Sequence, residues 1–190
     1  KRLRGLRQFG WSDGKWGSNY KLTKVQASVG LVQLRRLDTM LAERYQVAKA
    51  RDQMLKDVAE LTLPYEGPAV KHVYYLYSLL VPEAWGGPKR DQLMKILWED
   101  YKVSSLVANP PCHSTIPFLA EHTQGQRLPA SEKIASRLLC VPIHPKMSES
   151  DNEYICAALS KAVRRIAGGE KARSAEGEAV ATQAITGRAG

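Results

Sequence analysis

Between Leu31 and Leu63 the chain runs without a proline or a glycine, and apolar residues recur through it at three- and four-residue steps, as at Leu31, Leu34, Leu37, Leu41, Tyr45 and Ala48. That is the helical period, and a run of this length predicts one helix of about nine turns, or two with a bend. Its start is marked: Thr23 and Gln26 stand at the spacing of a capping box, in which each side chain satisfies the other residue's free backbone N–H. In the first turns Val25, Val29 and Val32 add a second apolar face. That end is therefore expected to be buried on two sides and the far end on one. A helix with this asymmetry bridges two packed bodies.

The remainder of the chain mixes strand and helix patterns. After Pro64, Gly67 and Pro68, residues 72–81 (HVYYLYSLLV) are rich in aromatic and β-branched side chains and predict a strand, closed by Pro82, Gly86, Gly87 and Pro88. Residues 89–101 predict a helix with Leu93, Ile96 and Leu97 on one side, and residues 103–107 a short strand. Asn109-Pro110-Pro111 must leave regular structure, because proline cannot donate to a ladder. A loop to about Leu128, a helix over 129–138 and a strand over 139–143 come next. Ser148 with Asp151 caps a last helix to about Ile166. The expected fold is α/β, more narrowly an α+β small domain: a long inter-domain helix leading to a small sheet of about three strands covered by helices. Residues 167–190 are mostly Gly, Ala, Ser, Thr and balanced charge, with no aromatic residue, and predict a disordered tail.

Several function classes drop out on composition. With 190 residues, 44% of them hydrophobic and 25% charged, the chain is long enough for one domain with a proper core. No apolar run approaches the roughly 18 to 20 residues that span a bilayer, and no secretory leader pattern is present, so the expected compartment is the cytoplasm. Cys112, Cys140 and Cys156 form no CxxC pair, and His72, His113, His122 and His144 show no HxxxH or HxH spacing, so neither a disulfide framework nor a zinc site is indicated. The net charge is +9, and the first 24 residues hold seven Lys or Arg against the single Asp13. A basic nucleic-acid-binding module is the alternative this charge raises, without a recognised motif to accompany it. The chain opens on Lys1 inside a helix-like run (KRLRGLR), as a cut chain would.

Two loops carry candidate chemistry. In Asn109 to Thr115 (NPPCHST), prolines fix a backbone that presents several polar groups, and loops held on a rigid scaffold often carry function. Cys112 and His113 look like a dyad, but in an extended segment neighbouring side chains point to opposite faces and cannot share a proton. In Gly17 to Lys21 (GSNYK), an amide, a phenol and an ammonium are delivered just before a helix N-terminus, a place that suits an anion. A plain surface connection remains open for each.

At these loops the sequence resembles a known family. Residues 17–34 (GSNYKLTKVQASVGLVQL) are similar to the DegT/StrS sugar-aminotransferase segment that runs Gly-x-Asn-Tyr-Arg and then Gln-Ala-Ala-x-Gly-x-x-Gln-Leu. His72 to Tyr77 resembles its His-x-x-x-Leu-Tyr strand, and Arg90-Asp91-Gln92-Leu93 its Arg-Asp-x-Leu helix start. Pro110 to His113 with Pro117-Phe118 is similar to its Pro-x-x-His…Pro-x-Phe loop, and residues 139–145 (LCVPIHP) to its Leu-x-Leu-Pro-x-x-Pro strand.

The resemblance implies the C-terminal part of a fold type I transferase dependent on pyridoxal 5'-phosphate. Residues 1–22 would be the end of a large domain with a cofactor- and substrate-facing loop, 23–62 the inter-domain helix, 63–166 the small domain and 167–190 the tail. It implies an aminotransferase that aminates a keto group of a nucleotide-linked sugar or related cyclic polyol, with glutamate or glutamine as donor and active sites shared across a homodimer. By resemblance Asn19 reaches the cofactor phosphate of the partner subunit, and Lys21, Asn109 and His113 face the substrate. Lys21 stands where the family usually has arginine, and Ala108-Asn109 where many members have His-Tyr. No catalytic residue and no metal ligand is assigned in this chain. The cofactor-binding lysine, its aspartate and its stacking aromatic would lie upstream of Lys1. A histidine in place of that lysine would make a sugar dehydratase, and regulatory members form a further alternative within the same fold.

Overall fold

The computed structural model of the chain describes residues 2–8, 16–19 and 21–186, with side chains described from Leu3 to Gly169 within those ranges. Two compact units divide the chain, residues 1–40 and 41–190.

The first unit holds α1 (Arg2–Leu6), α2 (Lys24–Arg35) and the start of α3 (Leu37–Leu55). The capping box forms as the sequence requires: Gln26 N–H donates to Thr23 Oγ1 at 3.2 Å, and Thr23 N–H donates to Gln26 Oε1 at 3.0 Å. The long apolar run is two helices rather than one. They meet at Arg36, whose ψ of −4° departs from the roughly −42° of a straight helix and redirects the next turn. None of the α2 residues is buried: Val25 is 75% exposed, Val29 58% and Val32 52%. No described residue covers either apolar face of that end.

The unit boundary falls inside α3, where burial begins. Ala48, Arg51 and Leu55 lie in the core of the second unit, so the second half of the long run packs within that unit. α3 stops at Leu55, short of the expected residue 62, because successive turns (Val58 N–H to Leu55 O, Leu61 N–H to Val58 O, both 3.0 Å) bring Thr62 onto the sheet edge.

That sheet has two antiparallel strands, β1 (Tyr77–Leu80) and β2 (Leu138–Val141), in a register that sets Tyr77 opposite Val141 and Leu79 opposite Leu139. Single bridges extend it on each side, Thr62 to Leu80 and Leu106 to Cys140. The third strand expected over 103–107 thus shrinks to one bridged residue. Lys102 just before it takes the left-handed conformation (φ 55°), and Asn109 just after it does too (φ 49°), so the segment cannot extend a ladder. β1 also begins later than His72. Tyr74 has φ 46°, its N–H donates to His72 Nδ1 at 2.9 Å, and its carbonyl accepts from Arg44 Nη1 at 3.2 Å. Those backbone groups are satisfied without a strand partner.

Two helices cover the sheet, α4 (Pro88–Tyr101) and α8 (Glu149–Thr186). Leu93 and Leu97 of α4 and Leu159 and Val163 of α8 are fully buried with Tyr77, Leu79 and Leu139. Each such aliphatic side chain contributes about 1.5–3 kcal/mol by leaving water. Ser148 caps α8, accepting the Asp151 N–H at 3.1 Å. The helix continues to Thr186, where composition suggests a tail without regular structure; the Ala, Glu, Lys and Arg of that stretch are good helix formers. Residues 187–190 lie outside the described residues. Among the described residues no helix is long and apolar enough to cross a membrane.

Arg51 ties this unit across its width. Fully buried, it donates from Nε to Asn152 Oδ1 and from Nη2 to the Pro142 carbonyl, each at 2.9 Å, while its guanidinium lies 4.7 Å from the centre of the Tyr77 ring. Asn152 in turn donates to the Val47 carbonyl at 3.0 Å.

Candidate functional site

The expected loop between Asn109 and Leu128 contains two short helices, α5 (Cys112–Thr115) and α6 (Pro117–His122), and then meets α7 (Pro129–Arg137). Both short helices begin where proline fixes φ: Pro111 caps α5 and Pro117 opens α6. The Pro111 carbonyl accepts the N–H groups of Ser114 and Thr115 and the Thr115 hydroxyl, at 3.1, 3.0 and 2.7 Å. Between this segment and α7 lies a cleft of about 710 Å³, with Asn109, His113, Thr123 and Gln126 among its polar lining and Leu119 and Ile134 among its apolar lining.

His113 is the best-anchored polar side chain of the cleft. Its imidazole is 8% exposed, and Nε2 lies 3.1 Å from Oε1 of Glu132 in the first turn of α7. Glu132 does more than meet the histidine: Oε1 accepts the Leu128 N–H at 3.0 Å, and Oε2 lies 3.3 Å from Arg127 Nη2. The Leu128 N–H first, then His113 and Arg127, hold its carboxyl below the usual carboxylate range. Thr123 closes the other side, donating to the Leu119 carbonyl at 2.7 Å and to that of His113 at 3.3 Å. The ring is therefore held by its side chain and its backbone at once.

Cys112 and His113 form no dyad, though for a reason other than the expected one. The segment is a helical turn, not extended, and Cys112 is exposed while the His113 ring is buried against Glu132. Cys140 and Cys156 are buried, and burial pushes the Cys156 thiol up, the opposite of activation. Among the described residues no group of three His, Cys, Asp or Glu side chains gathers to hold a metal.

In the first unit, Asn19 pairs with Gln8 in an antiparallel bridge, and the neighbouring Ser18 N–H donates to the Leu6 carbonyl at 2.8 Å. The backbone is thereby fixed while the Asn19 side chain stays exposed, as does that of Lys21 two residues before the capped start of α2. An exposed amide donor on a pinned backbone suits a phosphate oxygen, such as that of pyridoxal phosphate, as one wall of a site. No described residue of this unit encloses it. Tyr20, between them, lies outside the described residues.

Residues 2–160 match the model of the DegT/DnrJ/EryC1/StrS aminotransferase family. The chain belongs to that family. It is 27% identical over 170 residues to dTDP-3-amino-3,4,6-trideoxy-alpha-D-glucose transaminase of Micromonospora megalomicea subsp. nigra, covering 85% of this chain and 44% of the relative. Among solved structures it is similar to the aminotransferase TlmJ from Streptoalloteichus hindustanus, with TM-score 0.74 and 28% identity over 87% of this chain and 45% of that one. It also shares the fold of NtdA from Bacillus subtilis, solved with bound cofactor PMP, with TM-score 0.68 and 22% identity over 79% of this chain and 34% of that one. The chain spans about half the length of the curated relatives it matches.

Of the four site residues read from the sequence, Asn109 and His113 line one cleft in this DegT-family chain; Asn19 and Lys21 belong to the other unit. The residue that sequence reading missed is Glu132. Its signal was there, an acidic residue in the first turn of a helix opened by Pro129, but the carboxylate's partner stands 19 residues away.

Proposed function

We propose that the full-length protein to which this chain contributes its C-terminal half transfers an amino group from glutamate or glutamine to a keto group of a nucleotide-linked sugar or related cyclic polyol. The match over residues 2–160 carries this reading, supported by a relative named as a transaminase of a dTDP-linked sugar. Aminotransferases of this family depend on pyridoxal phosphate, which when bound supplies an electron sink for moving the amino group. Its lysine, and the groups that tune its ring, belong to the other half. This chain's residues bind and orient.

Asn19 donates to the phosphate of the cofactor held by the partner subunit of a homodimer, and Lys21 brings a positive charge to the substrate. Asn109 and His113 meet the sugar from the cleft of the small domain. Residues 1–22 end the large domain and 63–166 form the small one, with the α2–α3 run between them and the protein working in the cytoplasm. Pairing between copies is part of this proposal, because a pinned but unenclosed Asn19 needs walls from elsewhere. The full-length protein, purified, should show the visible absorption of bound pyridoxal phosphate and lose it on addition of glutamate or glutamine. Protein that carries no such chromophore when supplied with pyridoxal phosphate would sink the reading.

A further inference from the structure

We propose that Glu132 is a positioning residue that presents His113 to the sugar as a hydrogen-bond acceptor at Nδ1. This rests on the proposal that His113 meets the substrate.

An ionised carboxylate only accepts, so the 3.1 Å contact between Glu132 Oε1 and His113 Nε2 requires the proton to sit on Nε2. In the neutral imidazole the other nitrogen then has a lone pair and no proton. A ring that is 8% exposed has little solvent to reorient it, and the Thr123 hydroxyl on the His113 carbonyl fixes the backbone from which it projects. Glu132 is itself anchored by the Leu128 N–H at 3.0 Å on the same oxygen that meets His113, so the tautomer is set by a group tied to the backbone. The consequence is chemical selectivity. The cleft would favour a substrate group that donates to Nδ1, such as a sugar hydroxyl, over one that only accepts.

The test uses full-length holoenzyme labelled with ¹⁵N-histidine, the His113 signals being assigned by difference from His113→Ala. The wild type should show a neutral ring protonated at Nε2. Glu132→Met removes the acceptor and should give a mixture of tautomers; Glu132→Gln keeps a neutral acceptor at the same place and should restore the Nε2-protonated form. A dTDP-linked amino sugar, used as amino donor in the reverse half-reaction, is the kinetic probe. Glu132→Met should raise its KM about tenfold with kcat little changed, Glu132→Gln should recover most of that, and Glu132→Met should add nothing in a His113→Ala background. A purely structural role for Glu132 would lower stability without moving the tautomer or splitting KM from kcat.

An Nδ1-protonated or doubly protonated ring in the wild type, a tautomer unchanged in Glu132→Met, or additive effects of the two substitutions overturns the proposal. If His113→Ala itself leaves KM unchanged, the substrate role of His113 falls, and with it the role given to Glu132, whatever the tautomer. If the wild type does not turn over this sugar, the tautomer comparison alone decides between support and rejection.

Discussion

Arg51 is the residue on which the second unit is most exposed to damage. It is fully buried, and its guanidinium is held through Nε and Nη2 by an amide oxygen and a carbonyl and by the face of Tyr77, while Nη1 is buried without a hydrogen-bond partner among the described residues. Removing it strands the Asn152 and Pro142 acceptors in the interior and opens a cavity. Arg51→Ala should therefore cost the full-length protein about 3 kcal/mol or more, read from the urea midpoint of this unit. Arg51→Met keeps the packing of the stem and should recover part of the loss. Equal destabilisation by both would mean that the hydrogen bonds alone carry the effect. Nothing in the sequence around residue 51 marked this arginine, because a basic residue on a helix is ordinarily a solvated one.

At the scale of elements, the start of α4 depends on one backbone conformation. Gly87 has φ 71° and ψ −110°, which L side chains rarely adopt, and its N–H donates to the Ser136 carbonyl at 2.9 Å. Gly87→Ala should destabilise by about 1–3 kcal/mol although no atom lies within 4 Å of the added methyl. A thermal midpoint matching that of wild type would show that the turn relaxes at no cost. This junction was legible in the sequence, since Gly86-Gly87-Pro88 is a stop followed by a helix start. So were the capping box at Thr23 and the cap at Ser148, which are set by chemistry within three or four residues. What escaped is what distance decides. Tyr74 leaves the strand because Arg44, 30 residues earlier, holds its carbonyl, and the third strand fails where Lys102 turns left-handed. In the candidate site the same division holds: the proline-fixed loop with Asn109 and His113 was visible, and its carboxylate partner on α7 was not.

On the scale of the whole molecule, α2 and the residue leading into it lay out an apolar surface. Leu22, Val25, Val29, Leu31, Val32 and Leu34 are each more than half exposed. Apolar surface concentrated in this way promotes association. The 190-residue chain produced by itself should therefore self-associate in a concentration-dependent way, and Val29→Lys with Leu34→Lys should reverse it; a monodisperse monomer at high concentration, by light scattering, would contradict this. The broad architecture followed from the sequence because the periods of its helices and strands are strong. So did the exposure of α2, because its second apolar face calls for a packing body that the described residues do not supply.

The clasp between Arg51 and Asn152 joins residues 101 positions apart, and the two strands of the sheet also come from distant parts of the chain. On a ribosome adding about 5–20 residues per second, Arg51 would wait roughly 5–20 seconds before its partner is even synthesised. Throughout that interval α3 has no complete core to join. The second unit is thus committed to folding late and all at once, and nascent chains paused before Asn152 should be the ones that proteases and chaperones find open.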